Sequence, residues 1–409
     1  MAVSPQEMGR RLRAARELCG LTQEDVARRL GVSRPTVAQI ELGNRAVTTI
    51  ELDKLAYLFG RDIQEFLAED FEEEDALAVL FRAEPEIAHY EDVADRLRSC
   101  IALGREVTNL EVLLGIDREL AGAVSYQVSA PRSRWDAIQQ GERAAEHERR
   151  RLGLGWAPCP PLPELLETQG VRTGVVDLPE EISGITISNQ RVGLFIVANR
   201  RHARARRRFS FAHEYAHVLF DRRMKGIVTR ASDRDELIEV RANAFAAAFL
   251  MPPEGIRQFV NALGKGQPSR AVAQVFDEAG AVQAEGRAAP GSQDLQLYDL
   301  VHIAHYFGVS RLAALFRLRN LKVVTQAEFE ELKAADDAGL GGELARLLNL
   351  PDSECDDADG FRHRVLSLSL EAYRRELITR DKLKEFAQLL SVEAEEVRRL
   401  IEGAGLARG

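Results

Sequence analysis

Apolar residues recur at helical spacing along most of the chain and turn to β-branched runs only near its middle. Met8, Leu12 and Ala15 stand three and four apart, which predicts an opening helix. Leu21 to Ala27 begins a second, with Thr22 as N-cap and Asp25 three residues later, close to a capping box. Gly31-Val32-Ser33 reads as a turn. Ser33 caps a third helix with Pro35 in its first turn and with Ile40 and Leu42 on its apolar side. Gly43-Asn44-Arg45 ends it, and Thr48 caps a fourth whose core face takes Ile50, Leu52, Leu55 and Phe59. Residues 61–75 are acid-rich. Residues 76–120 return to helical spacing through Leu77, Leu80, Phe81, Val93, Leu97, Ile101, Leu110 and Leu113, and residues 134–152 form a charged helix.

The texture then changes. GLGWAPCPPLP at 153–163 breaks the helix, and a short helix follows at 163–168. Val171–Val176, Ile185–Ser188 and Gly193–Val197 read as strands, with Asn189-Gln190 as a hairpin turn. Helical spacing resumes at 209–222 and 233–250. Residues 264–293 are rich in Gly, Ala, Gln and Ser and read as a flexible insertion, with helix admitted at 269–280. Residues 295–406 are helical by pattern.

Composition narrows the class. The chain has 409 residues, 45% hydrophobic and 29% charged, which predicts two to four domains at ~100–200 residues each. No run of ~18 apolar residues stands in it, and the N-terminus lacks the apolar block of a secretory signal. Cys19, Cys100, Cys159 and Cys355 are far apart with no CxxC pair, so the expected setting is the reducing cytoplasm, with no membrane contact. The net charge of −9 argues against binding nucleic acid over the whole surface. Residues 1–60 differ locally, with nine Lys/Arg against seven Asp/Glu.

LTQEDVARRLGVSRPTVAQIELGNR resembles the Xre/Cro-repressor helix-turn-helix domains over about 60 residues. The resemblance implies that the third helix enters the major groove of double-stranded operator DNA. Arg34, Thr36 and Gln39 would then face base edges, and Gln23, Asn44 and Arg45 would touch phosphates. Repressors of this kind pair their half-sites, so a homodimer is expected. The fold class follows: multidomain and mainly α, with an all-α helix-turn-helix domain at 1–70, a helical linker region at 71–133, an α+β domain with a small sheet at 134–262, the insertion at 263–293 and an all-α C-terminal domain at 294–409.

The chemistry sits in FSFAHEYAHVLF. His213 and His217 at i and i+4 share a helix face, roughly 6 Å apart at Cβ, where two imidazoles can bind one Zn2+. Glu214 lies slightly aside, where it can take a proton from a metal-bound water. A third protein ligand is needed, and Glu239 lies 22 residues past His217. Asp235 and Glu236 compete for that role. Asn243, one turn after Glu239, could bond a ligand histidine from behind.

RFSFAHEYAHVLF followed by EVRANAFAAAFLMP is similar to the ImmA/IrrE metallopeptidases. The resemblance implies His213, His217 and Glu239 as zinc ligands and Glu214 as general base. Arg241 departs from it, since many relatives carry an acid there. The implied activity is a cytoplasmic zinc endopeptidase of the gluzincin kind that cleaves a repressor-type protein under stress. The alternative is an operator-binding repressor whose zinc domain only senses. Some relatives respond to single-stranded DNA, and Arg204, Arg206, Arg207 and Arg208 offer it an activating patch. Cys159, between two prolines, could occupy the open zinc position as an inhibitory thiolate, with Cys100 as the other thiol. His202, His302 and His305 fit no zinc spacing. Strand Gly193–Val197 could be an edge that pairs with an extended substrate.

Overall fold

A computed structural model describes residues 3–69, 71, 80, 91–116, 124–189, 192–224, 226–265, 271–277, 280–286, 293–350, 359–390, 396 and 399. Leu77, Phe81, Gln190, Cys355 and most of residues 391–409 lie outside them.

Five helices open the chain: α1 (Pro5–Leu18), α2 (Gln23–Leu30), α3 (Arg34–Glu41), α4 (Thr49–Leu58) and α5 (Ile63–Leu67). Thr22 and Thr48 each close a capping box, with Asp25 and Glu51, satisfying amides that the first turn would leave bare. Ser33 caps α3 by backbone position only, because its hydroxyl meets that of Thr36 at 2.9 Å. Met8, Leu12, Ala15, Ile40, Leu52, Leu55 and Phe59 are buried as the spacing predicts. Ile50 and Leu42 are not, at 72% and 58% exposed. At 100° per residue, Ile50 lies opposite the stripe of Leu52, Leu55 and Phe59, and Leu42 is already the cap residue beyond α3.

Helix α6 (Glu91–Leu113) joins this bundle to the centre. Arg98, buried in α6, donates to the Leu58 carbonyl at 2.8 Å and to Asp95 at 2.7 Å, and Asp95 also holds Arg29 at 3.0 Å. Next come α7 (Arg134–Arg151) and α8 (Leu162–Thr168), then β1 (Val171–Val176), β2 (Ile182–Asn189) and β3 (Gly193–Asn199). Helix α9 (Arg204–Phe220), β4 (Gly226–Arg230) and α10 (Leu237–Leu250) follow. The sheet order is β1-β3-β2-β4. β1 and β3 run parallel, with Val171 opposite Leu194, while β2 is antiparallel to β3 and to β4, with Ile185 opposite Val197 and Val228.

One expectation changes here. β3 is central and spends both hydrogen-bonding edges on β1 and β2, so it has no free edge for a substrate. The edge beside β2 is β4, a strand of five residues, GIVTR, lying between α9 and α10.

Helix α7 lies tight against α10 at Gly141, where a Cβ would stand 2.4 Å from the Arg241 carbonyl. Helix α11 (Pro253–Ala262) follows, then β5 (Ala271–Asp277) and β6 (Gly280–Gly286), an antiparallel pair. In place of the helix admitted at 269–280, the described residues 271–277 form a strand. Its β-branched and aromatic positions find a cross-strand partner in 280–286, which helical periodicity cannot reveal.

Helices α12 (Leu297–Phe307), α13 (Arg311–Asn320), α14 (Gln326–Asp337), α15 (Leu340–Leu347), α16 (Asp359–Arg374) and α17 (Arg380–Leu389) complete the described chain. The apolar core crosses the expected boundary at 293/294. Ile303, Phe307, Leu315 and Leu318 pack in one cluster with Phe211, Phe245, Phe249 and Ile256. Helix α16 instead turns toward α6, where Arg364 bonds Glu111 at 2.8 Å and Glu111 holds the buried Arg172 at 3.0 Å.

Candidate metal centre

Helix α9 runs beneath the sheet, and its middle is fully buried because Phe211, Tyr215, Val218 and Leu219 face the core. This immobilises the polar residues between them. Nε2 of His213 stands 3.2 Å from Nε2 of His217. Glu239, in the first turn of α10, brings Oε2 to 3.0 Å from His213 Nε2 and Oε1 to 3.3 Å from His217 Nε2. Among the described residues, these three form the one cluster of at least three such donors converging within 4.8 Å.

The donor chemistry shows what such a cluster suits. Nδ1 of His217 meets the acceptor-only carboxylate of Asp221 at 3.0 Å, so a neutral ring keeps its proton there and turns the Nε2 lone pair inward. Nδ1 of His213 meets the Asn243 side-chain oxygen at 3.0 Å, which sets the same tautomer. Lone pairs from two imidazoles and a carboxylate thus face one another, an arrangement that suits a cation. The donor atoms of a tetrahedral zinc site stand about 3.3 Å apart at ordinary bond lengths, and the separations here are 3.0–3.3 Å. The residues present fit the metal.

The three donors also act on one another electrostatically. Burial would lower the His217 pKa, but hydrogen bonds to Asp221 and Glu239 outweigh it and raise the imidazole to about 10. Burial would raise the Glu239 carboxyl, yet the two histidines hold it far below the usual range. Asp221 is likewise held low by His217 and Arg241 against the opposite pull of burial.

Glu214 is fully buried and lines the same pocket as His213, Glu239 and Asn243, a cleft of about 130 Å³. Oε2 accepts from the Thr186 hydroxyl at 2.6 Å, and Oε1 is buried with no hydrogen-bond partner among the described residues. Gly184 on β2 faces this carboxylate, and a Cβ there would stand 2.6 Å from Oε1.

Sequence reasoning missed four positioning groups. Asp221 was within its reach, being i+4 from His217 on the same helix. Arg241 pairs with Asp221 at 2.6 Å and stacks on Phe220 at 4.4 Å. Arg241 is thus placed behind the histidine. Thr186 and Gly184 come from across the sheet and leave no local signal.

Other expected residues separate from the site. Asp235 is exposed and paired with Arg134 at 2.9 Å, and Glu236 is the exposed N-cap of α10, so neither joins the cluster. Cys159 is buried elsewhere: its thiol contacts the Arg149 guanidinium at 3.1 Å and donates to the Phe249 carbonyl at 3.4 Å. Phe249 lies ten residues along α10 from Glu239, about 15 Å, so the inhibitory-thiolate expectation is corrected to a packing role. Cys100 sits on α6, near Gly174 on β1.

The arginine run also divides. Arg207 and Arg208 are buried in the opening turns of α9. Arg207 donates to the His202 carbonyl at 3.1 Å and Arg208 to the Pro160 carbonyl at 3.2 Å. They are structural groups, leaving half-buried Arg204 and exposed Arg206 of the expected patch.

On α3, Arg34 and Gln39 are exposed and Thr36 is half-buried. The expected phosphate-contacting side chains have internal partners. Gln23 donates to Glu41 at 2.8 Å, within the buried Arg16–Glu41 pair. Asn44 donates to Gln39 at 3.0 Å, and Arg45 pairs with Glu51 at 2.8 Å.

Comparison with known proteins agrees with both halves. Residues 12–66 match a helix-turn-helix family, and residues 167–278 match the IrrE N-terminal-like domain of the M78 peptidase type. A Methanocaldococcus jannaschii protein named as an HTH-type transcriptional regulator is 42% identical over 66 residues, which is 16% of this chain and 100% of the relative. The chain belongs to the helix-turn-helix regulators and carries an IrrE-like peptidase domain. In the IrrE-like domain the matched span contains the whole His-Glu cluster and β1 to β5. Among the described residues, no helix is long and apolar enough to cross a membrane.

Proposed function

We propose that the chain is a cytoplasmic zinc-dependent endopeptidase coupled to transcription regulation, and that its substrate is a repressor-type protein. The observation that carries this reading is the convergence of His213, His217 and Glu239 at 3.0–3.3 Å beside a buried, half-partnered Glu214. Zinc bound there would supply the Lewis acidity that polarises a peptide carbonyl and acidifies a water. Asn243 and Asp221 hold the two rings. Thr186 fixes one oxygen of Glu214 and leaves the other to take a proton and return it to the leaving amine. β4, one of the two edge strands of the sheet, reaches the cleft through Thr229 and Arg230 and offers an edge on which an extended peptide could lie. The helix-turn-helix domain would hold the chain at operator DNA, as a homodimer spanning two half-sites, with stress as the signal.

The test is a peptide library digested by zinc-loaded protein, with cleavage sites read by mass spectrometry. Wild type should cut and Glu214→Gln should not, while both bind one zinc. Equal, negligible cutting by the two proteins refutes the peptidase reading and leaves a non-proteolytic sensor. Repeating the digest with single-stranded DNA tests nucleic acid as activator, for which Arg204 and Arg206 are the surface residues of the run.

A further inference from the structure

The walls of the zinc-site cleft carry a charge pattern that the peptidase chemistry does not require. Three arginines line it: Arg206 on α9, Arg230 at the end of β4 and Arg234 in the turn before α10. The cleft carboxylates, Glu214 and Glu239, are bound to Thr186 and to the two histidines. Outside, Arg206 faces the exposed Glu180 at 3.7 Å, and Arg234 faces Asp235 at 3.8 Å. Both contacts are longer than a hydrogen bond, and Asp235 is drawn away by Arg134 at 2.9 Å. The side chains of Arg206 and Arg234 are 47% and 77% exposed, so both can turn to an incoming group. Arg206 lies two helical turns before His213, about 10 Å along α9, a distance an extended peptide spans in about three residues.

We propose that this cleft selects substrates bearing Asp or Glu within about three residues of the scissile bond, with Arg206 and Arg234 as the specificity-determining residues and Arg230 supporting them. The inference rests on the peptidase reading and adds its substrate class. Carboxylate side chains meet guanidinium groups on both walls, whereas Lys or Arg would meet like charge.

In the library digest, Asp and Glu should be enriched over Lys and Arg about fivefold or more at one such position, the effect falling mainly on KM and weakening with salt. Arg206→Glu/Arg234→Glu should reverse the preference while zinc content stays at one per chain. Arg206→Gln/Arg234→Gln should abolish it, and serves if the reversed variant folds poorly. A second arm uses zinc-loaded Glu214→Gln and fluorescein-labelled peptides that differ only in Asp against Lys. Tighter binding of the Asp peptide is expected by polarisation. Cleavage with no acid preference, or equal binding of the two peptides, overturns this inference alone. Absence of cleavage by the wild type overturns the peptidase reading, and the inference with it.

Discussion

Replacing Gly184 by alanine would place a methyl carbon 2.6 Å from Oε1 of Glu214, 2.8 Å from its Cγ and 2.9 Å from its Cδ. Ordinary carbon–oxygen contact begins near ~3.4 Å, so the carboxylate must retreat by about 0.8 Å. The strand has less freedom to yield, since β2 is paired on both sides. The carboxylate is the end of a flexible side chain and can swing. The energetic cost to folding is therefore modest, about 1–2 kcal/mol, and the functional cost is large. Moving the carboxylate also breaks the 2.6 Å bond from Thr186. A displacement near 1 Å in a catalytic group lowers turnover about 100-fold, or roughly 2.7 kcal/mol of barrier. Zinc should remain, because His213, His217 and Glu239 are untouched. The assay pairs kcat on a library-derived peptide with metal content by mass spectrometry. Thr186→Val, which keeps the shape and removes the donor, should lower kcat about tenfold. Wild-type kcat in both variants, with full zinc, would refute the assignment of Glu214 as a base held by β2.

Other expectations follow from the same geometry. Glu239→Ala should empty the zinc site while Glu236→Ala leaves it full, and Asp221→Asn should weaken zinc binding about 10- to 100-fold by freeing the His217 ring; competition with a chromogenic chelator measures all three. Burial pushes the Glu167 carboxyl from its ordinary 4.5 up to about 7. The unfolded chain therefore loses this proton first, and the contribution to stability falls as pH rises from about 4.5 to 7. Glu167→Gln should flatten that slope and raise Tm at pH 8, and an unchanged pH profile would count against it. Arg34→Ala should weaken operator binding by ~1–3 kcal/mol if the guanidinium grips a guanine, without altering peptide cleavage. Cys159→Ala should lower Tm slightly and leave basal cleavage at the wild-type rate; a rise in cleavage would restore the thiolate switch.

Local pattern determined much of this protein. The helices of the N-terminal domain, their threonine caps and most of their buried face follow from rules acting within four residues, and so does the pairing of His213 with His217. The expected strands fall within β1, β2 and β3 because β-branched runs need only a partner, whichever it is. Which strand lies inside the sheet is a different matter. β3 became central and β4 the edge through pairings between residues as much as 48 apart, Ile182 with Arg230, and one-dimensional spacing carries no record of them. The apolar positions are more legible: Ile50 matches the composition of a core residue, but the helical period of α4 already sets it opposite Leu52, Leu55 and Phe59, on the side that faces water. The site divides along the same line. Its three donors lie on two helices whose motifs can be read, and Asp221 could have been read with them. Thr186 and Gly184 touch Glu214 only because β2 crosses α9. Cys159 and the arginine run were ambiguous for a related reason, since burial is a property of the neighbours. The chain's packing placed the thiol under Phe249, turned Arg207 and Arg208 inward to backbone carbonyls, and left Arg206 on the wall of the cleft.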